Sequence, residues 1–203
     1  MPGITPFSKE NISWLREQSF GFMDDAIVRS DLAVLEAVDG QVTLIEEKIA
    51  AIAAEDRSVR LLMTMTGVGY FTAMLVMVEV GDVSRFRGDK KFASWMGLVP
   101  SIHQSGERIR VGGVSGPGNK RLRWALVESA QAAVRYDPRF RGLYERVSRR
   151  RGKGCAVVAV AHELARIMYF MLSRGEPYRG ENRGLTERKL KNMSKRALDG
   201  LRN

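Results

Sequence analysis

Leu61-Leu-Met-Thr-Met-Thr-Gly67-Val68-Gly69-Tyr-Phe-Thr-Ala73 reads as the end of one helix, a tight turn and the start of the next. An apolar stretch then runs to Glu79-Val-Gly-Asp, the length of a short buried helix. A hydrophobic-Gly-hydrophobic-Gly turn between helices can serve two purposes. Glycine lets a backbone approach a phosphate, which the free N–H groups of the following helix start can then hold. A plain helical hairpin also needs glycine wherever φ is positive. A phosphate contact of the first kind would set register on a nucleic acid without reading bases. Gly67, Val68 and Gly69 are therefore candidate binding residues.

Upstream of the turn, Leu35, Val38, Val42, Ile45, Ile49 and Ile52 follow alternating steps of three and four, the spacing of a coiled-coil seam. The spacing predicts a coiled-coil-like helix over 25–57, with homo-oligomerisation through those six residues. Gly40 within it costs ~1 kcal/mol relative to Ala, so packing must hold the helix. Residues 1–24 hold Pro2, Gly3, Pro6 and Gly21 and read as irregular, with room for a short helix within 8–19.

Downstream, 89–96 suits a short helix, and 97–118 is irregular with an alternation at Ile109-Arg-Val that suits a strand pair. A helix over 120–136 places Leu122, Ala125, Leu126, Ser129, Ala130 and Ala133 on one face. Pro138 interrupts, a basic helix follows over 140–151, and a mostly apolar one over 156–172. The expected domain spans 58–174, and 175–203 is expected to be a flexible basic tail. The fold class is mainly α: a helix-hairpin-helix-containing helical domain with a small irregular or β-hairpin insertion, preceded by the long helix.

Charge gives the first functional direction. The chain has 33 Lys/Arg and 23 Asp/Glu, net +10. Residues 1–60 carry 6 Lys/Arg against 11 Asp/Glu, leaving 27 against 12 and a net +15 for residues 61–203. That asymmetry points to a polyanionic partner. No apolar run reaches the ~18 residues of a membrane span, and the start lacks the pattern of a secretory signal. Cys155 has no disulfide partner, and two His make no zinc framework. The expectation is a cytoplasmic protein with no membrane partner.

Ser101 and Ser105 lie in a glycine-flanked loop near Arg108 and Arg110, with Asn119, Lys120, Arg121 and Arg123 following. A serine attacking a phosphodiester needs a base for its proton and cations for the charge that develops. The arginines suit the second task. His103 would share a face with both serines if the segment is extended, and is the nearby base. A loop serine is most often structural, so residue type alone does not assign the role. Arg149, Arg150 and Arg151 crown a basic run from Arg135 to Lys153 that interleaves Tyr136, Phe140 and Tyr144, a mixture suited to phosphate contact and base stacking. The carboxylates, Glu79, Asp82, Asp89, Glu128 and Glu163 among them, do not cluster in sequence as two-metal chemistry requires. No metal site is expected.

The order Gly67-Val-Gly…Thr72-Ala, Gly81-Asp…Arg85-Phe, Ala93-Ser-Trp-Met-Gly-Leu-Val-Pro, Ser105-Gly, then Gly118-Asn…Leu122-Arg resembles the C-terminal transposase domain of the DEDD-type insertion-sequence transposases. These are relatives of the Piv/MooV invertases and are bridge-RNA-guided recombinases. The resemblance spans about 59–174, and the preceding helix resembles the family's coiled-coil linker. It implies a split active site. A RuvC-like domain, expected to lie outside this chain, would carry a carboxylate tetrad and Mg²⁺. The C-terminal domain would carry a serine that becomes covalently linked to DNA, here Ser105, with Ser101 in reserve. DNA and a structured guide RNA are the implied partners, and no cofactor is expected in this chain itself. Ser115-Gly-Pro before Gly118 and Met65-Thr66 before Gly67 depart from the family pattern. The competing readings are a non-catalytic helix-hairpin-helix nucleic-acid-binding protein and a remnant that inhibits a longer transposase.

Overall fold

The computed structural model describes residues 7–98 and 118–200 in full, and the backbone alone of 102–105 and 108–111. Ser101 lies outside the described residues, as do Ser115, Gly116 and Pro117. The chain divides into two compact units, 1–46 and 47–203.

In the first unit, α1 (Lys9–Glu17) begins at Ser8, whose hydroxyl accepts from the Asn11 N–H at 3.3 Å. This helix lies within 8–19, where the sequence left room for a short one in an otherwise irregular segment. The Asp25 carboxylate accepts from the Phe20 N–H at 2.7 Å and the Ser19 hydroxyl at 3.2 Å, which fixes the chain's entry into α2 (Phe22–Glu55). Arg16 pairs with Glu36 across the two helices. Along α2 the expected seam is largely open: Val38, Val42, Ile45 and Ile52 are exposed, and Leu35 and Ile49 are half-buried.

The second unit is built on helix packing. Ala50 and Ala53, at the end of α2, are buried in its core. Asp56 then caps α3 (Arg57–Leu62), accepting from Ser58 and Val59 N–H groups. The turn leads to α4 (Tyr70–Val80), a 3₁₀ turn at Val83–Arg85 and α5 (Asp89–Trp95). Strands β1 (Ile102–Ser105) and β2 (Arg108–Val111) pair antiparallel. Helix α6 (Lys120–Tyr136) buries Leu122, Ala125, Leu126, Ser129, Ala130 and Ala133, the face its periodicity predicts.

Helix α7 (Pro138–Arg174) follows after the single residue Asp137. Asp137 accepts from the Arg139 N–H at 2.9 Å, and Pro138 takes the first turn, where its missing N–H costs nothing. Pro138 therefore starts a helix rather than merely interrupting one. The two helices expected here run into each other across a break at Gly152, whose φ of 83° is not helical. An 18-residue window of α7 is apolar enough to cross a membrane, with mean hydropathy 1.6. In the structure Ala156, Val160, Ala161, Leu164, Ala165 and Met168 on this helix face the core.

The expected flexible tail is corrected most clearly. Residues Arg183–Gly200 form α8, with Thr186, Met193 and Ala197 buried. Tyr178, in the link before it, is buried and stacks on Phe140 with ring centroids 6.0 Å apart. Its hydroxyl donates to Asp137 Oδ2 at 2.9 Å, and its N–H donates to the Thr64 hydroxyl at 2.9 Å. Gly200 ends α8 so close to Glu47 that a Cβ there would lie 2.7 Å from Glu47 Cβ.

Candidate nucleic-acid interface

Gly97 and Gly118 meet backbone to backbone at the two ends of the 98–118 insertion. A Cβ at Gly118 would stand 2.6 Å from Gly97 Cα, which only glycine avoids. Gly97 itself has a φ of +73°, a conformation other residues rarely adopt. On the incoming side, Leu98 is buried and its N–H donates to the Ala93 carbonyl at 3.1 Å. On the outgoing side, the Asn119 N–H donates to the Trp95 carbonyl at 3.4 Å. The two ends of the insertion thus form a narrow, internally bonded neck.

Asn119 is bonded in both directions. Its Oδ1 accepts from Arg121 and Leu122 N–H groups at 3.0 and 3.1 Å, capping α6, while its Nδ2 donates to Glu79 Oε2 at 2.5 Å. That is the role of an N-cap that also ties α6 to α4. Arg123 is half-buried, with Nη1 donating to the Gly97 carbonyl at 3.4 Å, so it braces the neck. Lys120 and Arg121 are exposed beside it.

Arg85, absent from the candidates the sequence supplied, joins this group. Its guanidinium lies 4.6 Å from the Phe86 ring and 4.7 Å from the Trp95 ring, and Nη2 donates to the Glu79 carbonyl at 3.4 Å. The residue stays exposed, so a pre-set cation faces solvent near Asn119. The signal available in sequence was the Arg85-Phe86 pair, which stands among the resembling motifs but carries no charge pattern that marks it.

The strand register sets Ser105 opposite Arg108, Gln104 opposite Ile109, His103 opposite Arg110 and Ile102 opposite Val111. Residues directly opposite in an antiparallel ladder share its face, and the side-chain period is two.

The glycine turn has a different environment from the one the motif suggests. Val68 is buried, and Gly67, at φ +85°, abuts α6, where a Cβ would lie 2.3 Å from the Ser129 carbonyl oxygen and 2.8 Å from the Ala133 nitrogen. Close helix packing thus accounts for Gly67. Gly69 alone has open space around it, at the head of α4. The turn's carbonyls point inward too. Lys189 of α8 donates from Nζ to the carbonyls of Met63, of Met65 at 2.9 Å and of Val68 at 3.0 Å. Burial pushes the Lys189 ammonium down to about 8, with Glu181 opposing the shift.

In the basic run, Arg149, Arg150 and Arg151 are exposed and run up to the Gly152 break. Phe140 is fully buried and Tyr144 half-buried against the core, which leaves Tyr136 as the open aromatic of the interleaved three. The carboxylates serve internal pairs: Asp89 and Glu163 both bond Arg166, and Glu163 also bonds Arg139. His162 lies alongside, lowered by burial and by Arg166. Among the described residues no three His, Cys, Asp or Glu converge as a metal site. A Mg²⁺ centre does not fit these residues.

The fold and charge define a basic, mainly α-helical domain with an insertion whose two ends meet at a pair of glycines. Residues 59–145 match the Transposase IS116/IS110/IS902 family, and the chain carries this family's domain. A probable family 20 transposase of Pseudomonas aeruginosa is 34% identical over 150 residues, covering 71% of this chain and 44% of that protein. The transposase for insertion sequence element IS1111A of Coxiella burnetii is 34% identical over 139 residues, or 66% and 38% of the two chains. A pilin gene-inverting protein of Moraxella bovis is 33% identical over 122 residues, or 58% and 38%. The chain thus spans less than half the length of these relatives.

Proposed function

We propose that this chain is the DNA-handling part of an insertion-sequence transposase or recombinase, with Ser105 as its nucleophile. The observation that carries the reading is the strand register, which sets Ser105 opposite Arg108 and His103 opposite Arg110, in an insertion whose ends meet at Gly97 and Gly118. The names of the relatives support DNA transposition or inversion as the process served.

In the proposed step, the Ser105 oxygen bonds to phosphorus as a P–O bond of the strand breaks. The serine proton passes to a base, for which His103 is the neighbour, and the released strand end departs as a hydroxyl. The ladder arginines balance the charge that builds on the phosphoryl oxygens. Mg²⁺ and its carboxylates belong, in this reading, to a RuvC-like domain outside the chain. A structured guide RNA is a further partner the resemblance implies. The head of α4 at Gly69 is the part of the helix-hairpin-helix turn still open to a phosphate, and exposed Val38, Val42, Ile45 and Ile52 support self-association through α2.

The test is covalent trapping. Labelled DNA with cognate RNA, Mg²⁺ and a separately supplied RuvC-like domain is mixed with the wild type, Ser105→Ala and Ser101→Ala. A protein–DNA adduct on a denaturing gel that is lost only in Ser105→Ala is expected. Salt-sensitive binding with no adduct in any protein would instead establish a non-catalytic binding module.

A further inference from the structure

Trp124 stands on α6, 60% exposed, on the side of the helix away from the buried face. Exposing so large an apolar ring forgoes the stabilisation its burial would bring. The chain's Trp95, by contrast, packs against the core and under Arg85. Lys120, Trp124, Glu128, Gln131 and Arg135 are all exposed and recur at steps of four, four, three and four, so they form one stripe along α6. Glu128, the acid within the stripe, accepts from Gln131 Nε2 at 3.4 Å, and Arg121 stands exposed three residues before Trp124. The stripe begins at the residue after Asn119, at the base of the glycine neck. An aromatic ring one turn from the two cations Lys120 and Arg121 has the composition of a base-stacking platform, in which cations follow the phosphates and the ring meets a base.

We propose that Trp124 stacks on an unpaired DNA base near the α6 start, holding an opened strand beside the hairpin. The assignment rests on the DNA-handling reading above. A protein partner is the alternative occupant of an exposed ring, but Lys120 and Arg121, one turn before it, and the net +15 of residues 61–203 favour a polyanion.

Binding of the full chain to a fluorescent single-stranded DNA 12-mer, its RNA counterpart and a blunt duplex would be measured for the wild type, Trp124→Ala, Trp124→Phe and Trp124→Leu. Trp124→Ala should weaken single-stranded DNA binding about tenfold, within the range for loss of one stacked base. Trp124→Phe should keep most of the affinity and Trp124→Leu should not. The slope of log affinity against log salt should stay unchanged, because the indole carries no charge and neutralises no phosphate. Equal affinities for wild type and Trp124→Ala, or a larger loss on RNA or duplex than on the DNA strand, would overturn the proposal while leaving DNA binding intact. So would a change of sedimentation in Trp124→Ala. A wild type that binds no nucleic acid would overturn the parent reading as well.

Discussion

A methyl group added at Gly67 would need space that the Ser129 carbonyl already occupies, 2.3 Å away, at a φ of +85°. Both the overlap and the backbone oppose it. Gly67→Ala should therefore lower the unfolding free energy by about 3 kcal/mol in urea denaturation. Gly69→Ala, with φ −95° and open space, should stay within about 0.5 kcal/mol of wild type. Equal losses at the two positions would contradict the packing role. Tyr178 gives a pH signature. Burial and the Asp137 carboxylate push its phenol up to about 12, from an ordinary 10.0. The folded state therefore favours the neutral phenol. Its stabilisation is complete below pH 10 and is lost as pH rises from 10 towards 12. Tyr178→Phe should be less stable at pH 8, and the gap to wild type should narrow by pH 11.5. A gap that stays constant would show that the hydroxyl is not what couples the link to α7. Ser105 belongs to another category: its residue type says little, and only its place opposite Arg108 supports a chemical role.

Helix α8 shows what an element contributes beyond its own propensity. Its sequence is so charged that it reads as a solvated tail, yet Lys189 reaches the carbonyls closing the α3–α4 turn. Lys189→Met keeps the stem and removes the donors, leaving those carbonyls without that partner. The expected cost is about 1–3 kcal/mol, read by thermal or urea unfolding. No loss would mean that water replaces the ammonium freely. For α2 the proposed self-association makes a separate prediction. Ile45→Asp with Ile49→Asp should convert an oligomer to a monomer in sedimentation, because a charge in an apolar seam must be desolvated unpaired. Oligomers that persist would place the contact elsewhere.

At the scale of the molecule, charge separation organises the chain: acidic through residue 60 and net +15 thereafter. Removing Arg149, Arg150 and Arg151 together should weaken DNA binding similarly for all sequences. It should also reduce the salt slope by about 0.9 for each duplex phosphate these arginines neutralise. An unchanged slope would show that this exposed ridge lies outside the interface, leaving Arg85, Lys120 and Arg121 around the neck as the cationic surface.

Local pattern alone specified much of this protein. The buried face of α6 and the glycine turn are written in spacings of a few residues, because helix periodicity and backbone freedom are short-range properties. The ordered motifs likewise sufficed for the family. Other features depend on residues far apart in sequence. Whether Gly67 serves a phosphate or a helix depended on Ser129; whether 175–200 is a tail depended on carbonyls at 63–68 and a hydroxyl at 64. The cations around the neck likewise meet only because Glu79, Trp95 and Gly97 pack near Asn119. Close packing and partner-dependent burial are properties of the folded chain, so tertiary structure alone decided them.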